Sequence, residues 1–204
     1  MLEQALIERI SEELGRRSPV RAAPGTYDTE AAVSLLLRPT GAGLEFLAIK
    51  RAESEGDPWS GHMALPGGRR DPGDADLWVT AARETWEEVG VDLSQVGRLL
   101  GRLDDVAPRT RRIPAIAIAP FVVAVQADVV AQTSSEVERA VWVPLDVVVE
   151  QKHRGSMTLK TIPDREYPTI EYEGHVIWGL TFQILGQFEM VLRRIGYAES
   201  DADP

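Results

Sequence analysis

The sequence predicts an α/β fold, a mixed β-sheet sandwiched between α-helices. Three observations carry that expectation. Short aliphatic runs bounded by glycine and proline recur through the chain, as strands do. Longer stretches at its start, middle and end space their apolar residues as helices do. A length of 204 residues with 44% apolar content is enough for one domain with a substantial core.

In chain order, Leu2, Leu6, Ile10 and Leu14 repeat at helical spacing, and Gly15 is the stop. The following RRSPVRAAPGTYDTE holds two prolines and a glycine and reads as a surface-wrapping linker. Residues 1–30 are thus an N-terminal helix and linker ahead of a main domain over 31–197. That domain opens with AAVSLLL and LEFLAIKR, two antiparallel strands joined by RPTGAG. RAESEGDPWSGHMALPGGRRDPGD is a long loop rich in turn residues, and such loops in compact domains often carry function. A helix runs from Asp76 to Val89, with Leu77, Ala81 and Trp86 among its apolar positions and Gly90 as its cap. GRLLGRL, AIAIAPFVVAV and AVWVPL read as strands, and GSMTLKTI with TIEYEGHVIW as a later pair. LTFQILGQFEMVLRRI closes the domain as a helix with Thr181, Ile184, Leu185, Phe188, Val191, Leu192 and Ile195 on one side. The polar AESDADP, residues 198–204, is a flexible tail.

Composition narrows the function. The 22 basic and 32 acidic residues give a net charge of -10, without the basic footprint of a nucleic-acid binder. The absence of cysteine excludes disulfides, thiolate metal sites and a cysteine nucleophile. MLEQALIERISEELGRR mixes both charges and lacks the apolar region of a signal peptide. No stretch approaches the ~20 apolar residues a bilayer requires, so a cytoplasmic protein without a membrane partner is expected.

The chemistry gathers in ALPGGRRDPGDADLWVTAARETWEEVGV, residues 64–91. Residues three and four apart share a helix face, so Glu84, Glu87 and Glu88 project together. Glu84 and Glu88 repel, and the C-terminal end of the helix dipole adds to the cost. Arg83 can pair with Glu87. Spacing alone fits a solvated acidic face or a site for a hard divalent cation such as Mg²⁺. The preceding glycine turn favours the cation: the Gly67 carbonyl can add an oxygen ligand, and small residues let a phosphate approach.

These residues resemble the Nudix box in Gly68, Asp74, Arg83, Glu84, Glu87, Glu88, Gly90 and Val91. Two departures stand out: Asp74 replaces the usual glutamate, and eight rather than seven residues separate it from Arg83. Thr85 stands where an aliphatic residue is usual. The longer spacing, with FLAIKR, EVERAVWVPL and HVIWGLTFQIL, resembles the coenzyme A diphosphatase-like subgroup across residues 31–195. The subgroup's own signature is altered, with Trp59 and His62 in WSGHMALPGG.

The resemblance implies a Nudix fold and metal-dependent hydrolysis of a nucleoside diphosphate derivative, with Mg²⁺ or Mn²⁺ as cofactor. Coenzyme A or an acyl derivative leads, giving 3',5'-ADP and phosphopantetheine. The alternatives are ADP-ribose, a dinucleotide or a nucleoside triphosphate, and then a non-catalytic ligand-sensing module. Glu84, Glu87, Glu88 and the Gly67 carbonyl would hold metal, and Arg83 would orient a helix carboxylate. Arg51 is either a phosphate contact or a strand-end charge, and Gly68 gives the substrate room. The base is either Glu136 or a helix glutamate. Trp59 is either a wall for adenine or pantetheine or part of the loop core. Trp178 and Phe182 read as core, the scattered His62, His153 and His175 show no zinc spacing, and Arg109–Arg112 is a small basic island. Family analogy allows a homodimer, to which the first helix can contribute.

Overall fold

Alternation within the first two strands dictates the layering. The computed structural model describes residues 2–23, 25–54, 60–108, 115–159 and 162–197. In β1 (Thr29–Pro39) and β2 (Leu44–Arg51), successive side chains point to opposite faces, yet both faces are buried. Leu35, Leu37, Phe46 and Ala48 enter one core cluster with α1 (Leu2–Gly15) and α4 (Gly179–Arg194). Leu36, Leu47 and Ile49 enter the other with α2 (Leu77–Val89). A sheet apolar on both faces requires helices on both, which is the predicted sandwich.

The sheet is mixed. β1 runs parallel to β6 (Ile116–Val125), and β5 (Gly97–Arg102) lies antiparallel on β6. β2 pairs with β7 (Val137–Pro144) from Glu45 to Arg51, but with β1 only beside the hairpin turn, Leu37 to Pro39 against Phe46 to Leu44, before Ile49 and Lys50 pair with the two-residue β3 (Met63–Ala64). The vacated edge of β1, Ala31 to Val33, is taken by β4 (Gly67–Arg69). This split brings the glycine turn beneath α2. α3 (Leu93–Val96) is a short link, and β8 (Arg154–Leu159), β9 (Ile162–Tyr172) and β10 (His175–Ile177) form a separate antiparallel sheet.

Several expectations need correction. The long loop contains β3 and β4, whose edges are too short to show a periodicity. The later pair is three strands, because Glu173 and Gly174 turn the chain between β9 and β10. In α1 the buried face is Ile7, Ile10 and Leu14, while Leu2 is 89% exposed at the fraying end. Trp86 is 57% exposed, because α2 turns Ala81, Thr85, Glu88 and Val89 toward the sheet instead. The α4 face is as read, and Thr181 on it donates to the Met63 carbonyl.

The linker does wrap the surface, tied to two adjacent carboxylates: Arg17 pairs with Asp104, and the Val20 and Ala22 amides donate to Asp104 and Asp105. α1 is pinned by Glu3, whose carboxylate accepts the Thr40, Gly41 and Gly43 amides of the β1–β2 turn. No helix among the described residues is long and apolar enough to cross a membrane.

Candidate active site

α2 holds the acidic cluster. Asp76 starts it by accepting the Val79 amide, and Gly90, with φ of 67°, ends it in the left-handed conformation that glycine tolerates best. The next carbonyls of α2 are met from the β6–β7 connection: the Gln132 amide donates to Val89 and the Ser134 amide to Glu88. The segment carrying Glu136 is therefore laced to the end of the carboxylate helix.

Glu88 points inward, its side chain only 4% exposed. One oxygen accepts the Gly67 amide at 2.8 Å, and the Arg51 guanidinium stands 3.6 Å from the other. Burial pushes its carboxyl up to about 7, against the pull of the Gly67 N–H and Arg51 and with added repulsion from Glu84 and Glu136. Glu84 is raised too, by burial first, with Arg83 opposing and Glu87 and Glu136 adding repulsion. Glu136 is thus within electrostatic reach of both.

Arg83 organises the rest. It donates to Glu84 at 3.0 Å, to Glu87 at 2.8 Å, to the Arg69 carbonyl at 3.0 Å and to both oxygens of Asp74. Asp74 is buried and also accepts the Thr80 hydroxyl and the Asp71 amide. Arg83 above all holds its carboxyl well below the ordinary carboxylate range. The aspartate and the longer spacing therefore work together: the shorter side chain reaches Arg83 from a turn one residue longer.

The two glycines have separate roles. A Cβ on Gly67, whose φ is 152°, would lie 2.2 Å from the Ala32 carbonyl oxygen. A Cβ on Gly68 would lie 2.4 Å from the Glu84 carboxyl, so the bare glycine is what gives that carboxylate its position. Gly67 reaches the cluster through its N–H, bound to Glu88. Thr85, at a usually aliphatic position, is buried; its hydroxyl donates to the Ala81 carbonyl at 2.7 Å and is hydrogen-bonded to the Ser34 hydroxyl of β1 at 2.9 Å.

Arg83, Glu84, Glu87, Glu88, Arg51, Gly67 and Gly68 thus come together, with Glu136 at the rim. Trp59, the Arg109–Arg112 island and the 198–204 tail lie outside the described residues. Among the described residues no three Asp, Glu or His side chains close on one point, since Arg83 bridges Glu84 to the half-exposed Glu87. The donors nonetheless suit a hard cation: they are carboxylates, and burial makes the charge on Glu84 and Glu88 costly in a way that a divalent ion offsets. The Asp74–Thr80 clasp and the Ser34–Thr85 bond escape sequence reading because ordinary surface serines, threonines and aspartates look the same.

The NUDIX domain family matches residues 28–162. An uncharacterised protein of Schizosaccharomyces pombe is 39% identical over 103 residues, covering 48% of this chain and 31% of its own. Nudix hydrolase 22, chloroplastic, of Arabidopsis thaliana is 28% identical over 82% of this chain and 55% of its own. The chain thus spans about a third to a half of these two relatives. An uncharacterised Nudix hydrolase, NudL, of Yersinia enterocolitica is 27% identical over 86% of this chain and 89% of its own. In fold, a C. elegans Ap4A hydrolase superposes with a TM-score of 0.54 at 20% identity, over 81% of this chain and 98% of its own. The NUDIX domain of Shewanella oneidensis NrtR, solved with ADP ribose, gives 0.51 at 18% identity, over 84% and 94%.

Proposed function

The chain belongs to the NUDIX domain family, and from that premise we propose that it hydrolyses the diphosphate linkage of a nucleoside diphosphate derivative with a divalent cation, Mg²⁺ or Mn²⁺, in a cytoplasmic setting. The observation that carries the reading is the pairing of buried Glu88 with half-buried Glu84 beneath the Gly67–Gly68 turn, a concentration of negative charge that the protein's own cations only partly offset. Glu84, Glu87, Glu88 and the Gly67 carbonyl would hold the ion. When bound, such an ion neutralises phosphate charge, polarises the phosphorus centre and acidifies a water.

The chain's own residues do the rest. Arg83 fixes the rotamers of Glu84 and Glu87, itself fixed by Asp74. The Gly67 amide and Arg51 orient Glu88, and Arg51 also offers its guanidinium to a substrate phosphate. The space that the bare Gly68 leaves is filled by the Glu84 carboxylate rather than by a phosphate, which corrects the substrate role expected of this glycine. The proton of the attacking water passes either to Glu136 or to a helix glutamate, and a pH–rate profile of Glu136→Gln separates the two.

Coenzyme A or an acyl derivative is the leading substrate, supported by the loop spacing and the subgroup-like strands. ADP-ribose, a dinucleotide or a nucleoside triphosphate is the second reading, favoured by the altered WSGHM signature. Incubation with Mg²⁺ or Mn²⁺ and each compound tests both. Release of 3',5'-ADP from coenzyme A supports the first, preferential cleavage of ADP-ribose, a dinucleotide or a nucleoside triphosphate supports the second, and no cleavage of any compound refutes the hydrolase.

A further inference from the structure

A cavity of about 500 Å³ opens between the β2–β7 end of the main sheet and the β8–β10 sheet, within the size range of small-molecule sites. Met63, Met157 and Trp178 give it apolar walls, while Lys50, Glu138 and Arg139 bring charge to it. Trp178 is held edge-on by His62, with ring centroids 4.8 Å apart, and by Tyr167 at 5.6 Å. Its place at the start of α4 reads as core in the sequence, yet in the fold it is half-buried and lines this space.

The cavity adjoins the carboxylate site through one strand end. Lys50 lines the cavity, while the next residue, Arg51, pairs with Glu88. A bulge between Lys50 and Arg51 breaks the β2–β7 register there, and bulges re-aim side chains beside functional sites. The Arg51 amide also donates to the carbonyl of His62, whose ring packs on Trp178. A ligand lying over Trp178 can therefore carry its phosphates round the end of β2 toward Glu88.

The polar lining selects the ligand class. Lys50 stands directly across from Arg139 in the β2–β7 ladder but is bridged to Glu138 at 2.8 Å, and Glu171 lies nearby, so a purely anionic group finds little net attraction. A purely apolar chain would leave the charges bare. Aromatic surface beside both donors and acceptors is what a nucleobase needs, a face to stack on and an edge to read.

We propose that this cavity is the nucleobase site, with Trp178 as its stacking wall; this rests on the nucleotide-hydrolase reading above. A base stacked on an aromatic side chain gains roughly five- to hundred-fold in affinity. The test titrates AMP, and ribose 5-phosphate as the base-free control, into the metal-free chain while following tryptophan indole N–H resonances. AMP shifts the one resonance that disappears in Trp178→Phe. Trp178→Leu weakens AMP at least tenfold and leaves ribose 5-phosphate unchanged, whereas Trp178→Phe retains most of the affinity. Should Trp178→Leu not fold, the indole shift in the wild-type chain decides alone. No AMP binding at millimolar concentration, equal binding of the two probes, or an unmoved Trp178 resonance overturns the proposal. AMP bound at Trp178 in a chain that cleaves nothing sinks the hydrolase and keeps the base site; turnover without AMP at Trp178 does the reverse.

Discussion

At the scale of single residues, Glu88 sets the pH behaviour. Its carboxyl has an ordinary value of 4.5 and is pushed up to about 7 in the fold, mainly by burial. Between those limits the folded chain holds a proton that the unfolded chain has released, so metal-free stability is greatest below the window and falls as pH rises through it. The fall amounts to about 3 kcal/mol across the full window. Urea midpoints at successive pH values should show this decline in wild type. They should show a flatter line in Glu88→Gln, whose amide oxygen still accepts the Gly67 N–H, and in wild type with excess Mg²⁺. Hydrolysis is lost in the same variant. An identical slope in Glu88→Gln would assign the effect to another group. Asp74 behaves oppositely: bound by Arg83, it stays ionised, and its contribution disappears only as pH falls below the ordinary carboxylate range.

Within elements, position along the glycine turn separates folding from chemistry. In Gly68→Ala the new methyl meets the far end of the Glu84 side chain, which can swing aside. Thermal stability should hardly change while turnover drops at least about tenfold, the scale expected for a displaced catalytic group. In Gly67→Ala the methyl meets backbone at a φ that L residues avoid, so about 3 kcal/mol of stability is lost. Calorimetry beside a kinetic assay distinguishes the two. The Ser34–Thr85 bond between β1 and α2 offers a second contrast. Thr85→Val leaves the buried Ser34 hydroxyl only the Ala81 carbonyl at 3.4 Å and should cost about 1–3 kcal/mol, Ser34→Val leaves Thr85 its 2.7 Å bond to Ala81 and should cost less, and the double variant should approach neutrality. A double-mutant cycle in urea measures the coupling, and additive losses would mean that the hydroxyls act independently.

The whole molecule depends on α1 being part of the core. Ile7, Ile10 and Leu14 join the cluster that also holds α4 and the β1–β2 face, and Leu14 packs where a side chain on Gly101 would sit. Burying each such side chain is worth roughly 1.5–3 kcal/mol, and three together rival a typical net stability of about 5–15 kcal/mol. Deleting residues 1–17 should therefore yield a chain without a cooperative thermal transition and with rapid proteolysis throughout, rather than an intact domain over 31–197. A sharp transition near that of the full chain would show the helix to be accessory.

The order of residues by itself determined the apolar strands, the closing helix and the placing of Glu84 and Glu88 one helical turn apart, because all of these follow from aliphatic runs and a period of 3.6 within a few neighbouring residues. It also displayed the motif that led to the family. Only the tertiary structure decided that Asp74 clasps Arg83 rather than standing idle, that the Gly67 amide meets Glu88, and that β1 shares one edge between β2 and β4. It likewise decided that Lys50, Arg139 and Trp178 surround one cavity. Those outcomes depend on which distant segments meet and on how much water they exclude, and no local pattern of side chains encodes that.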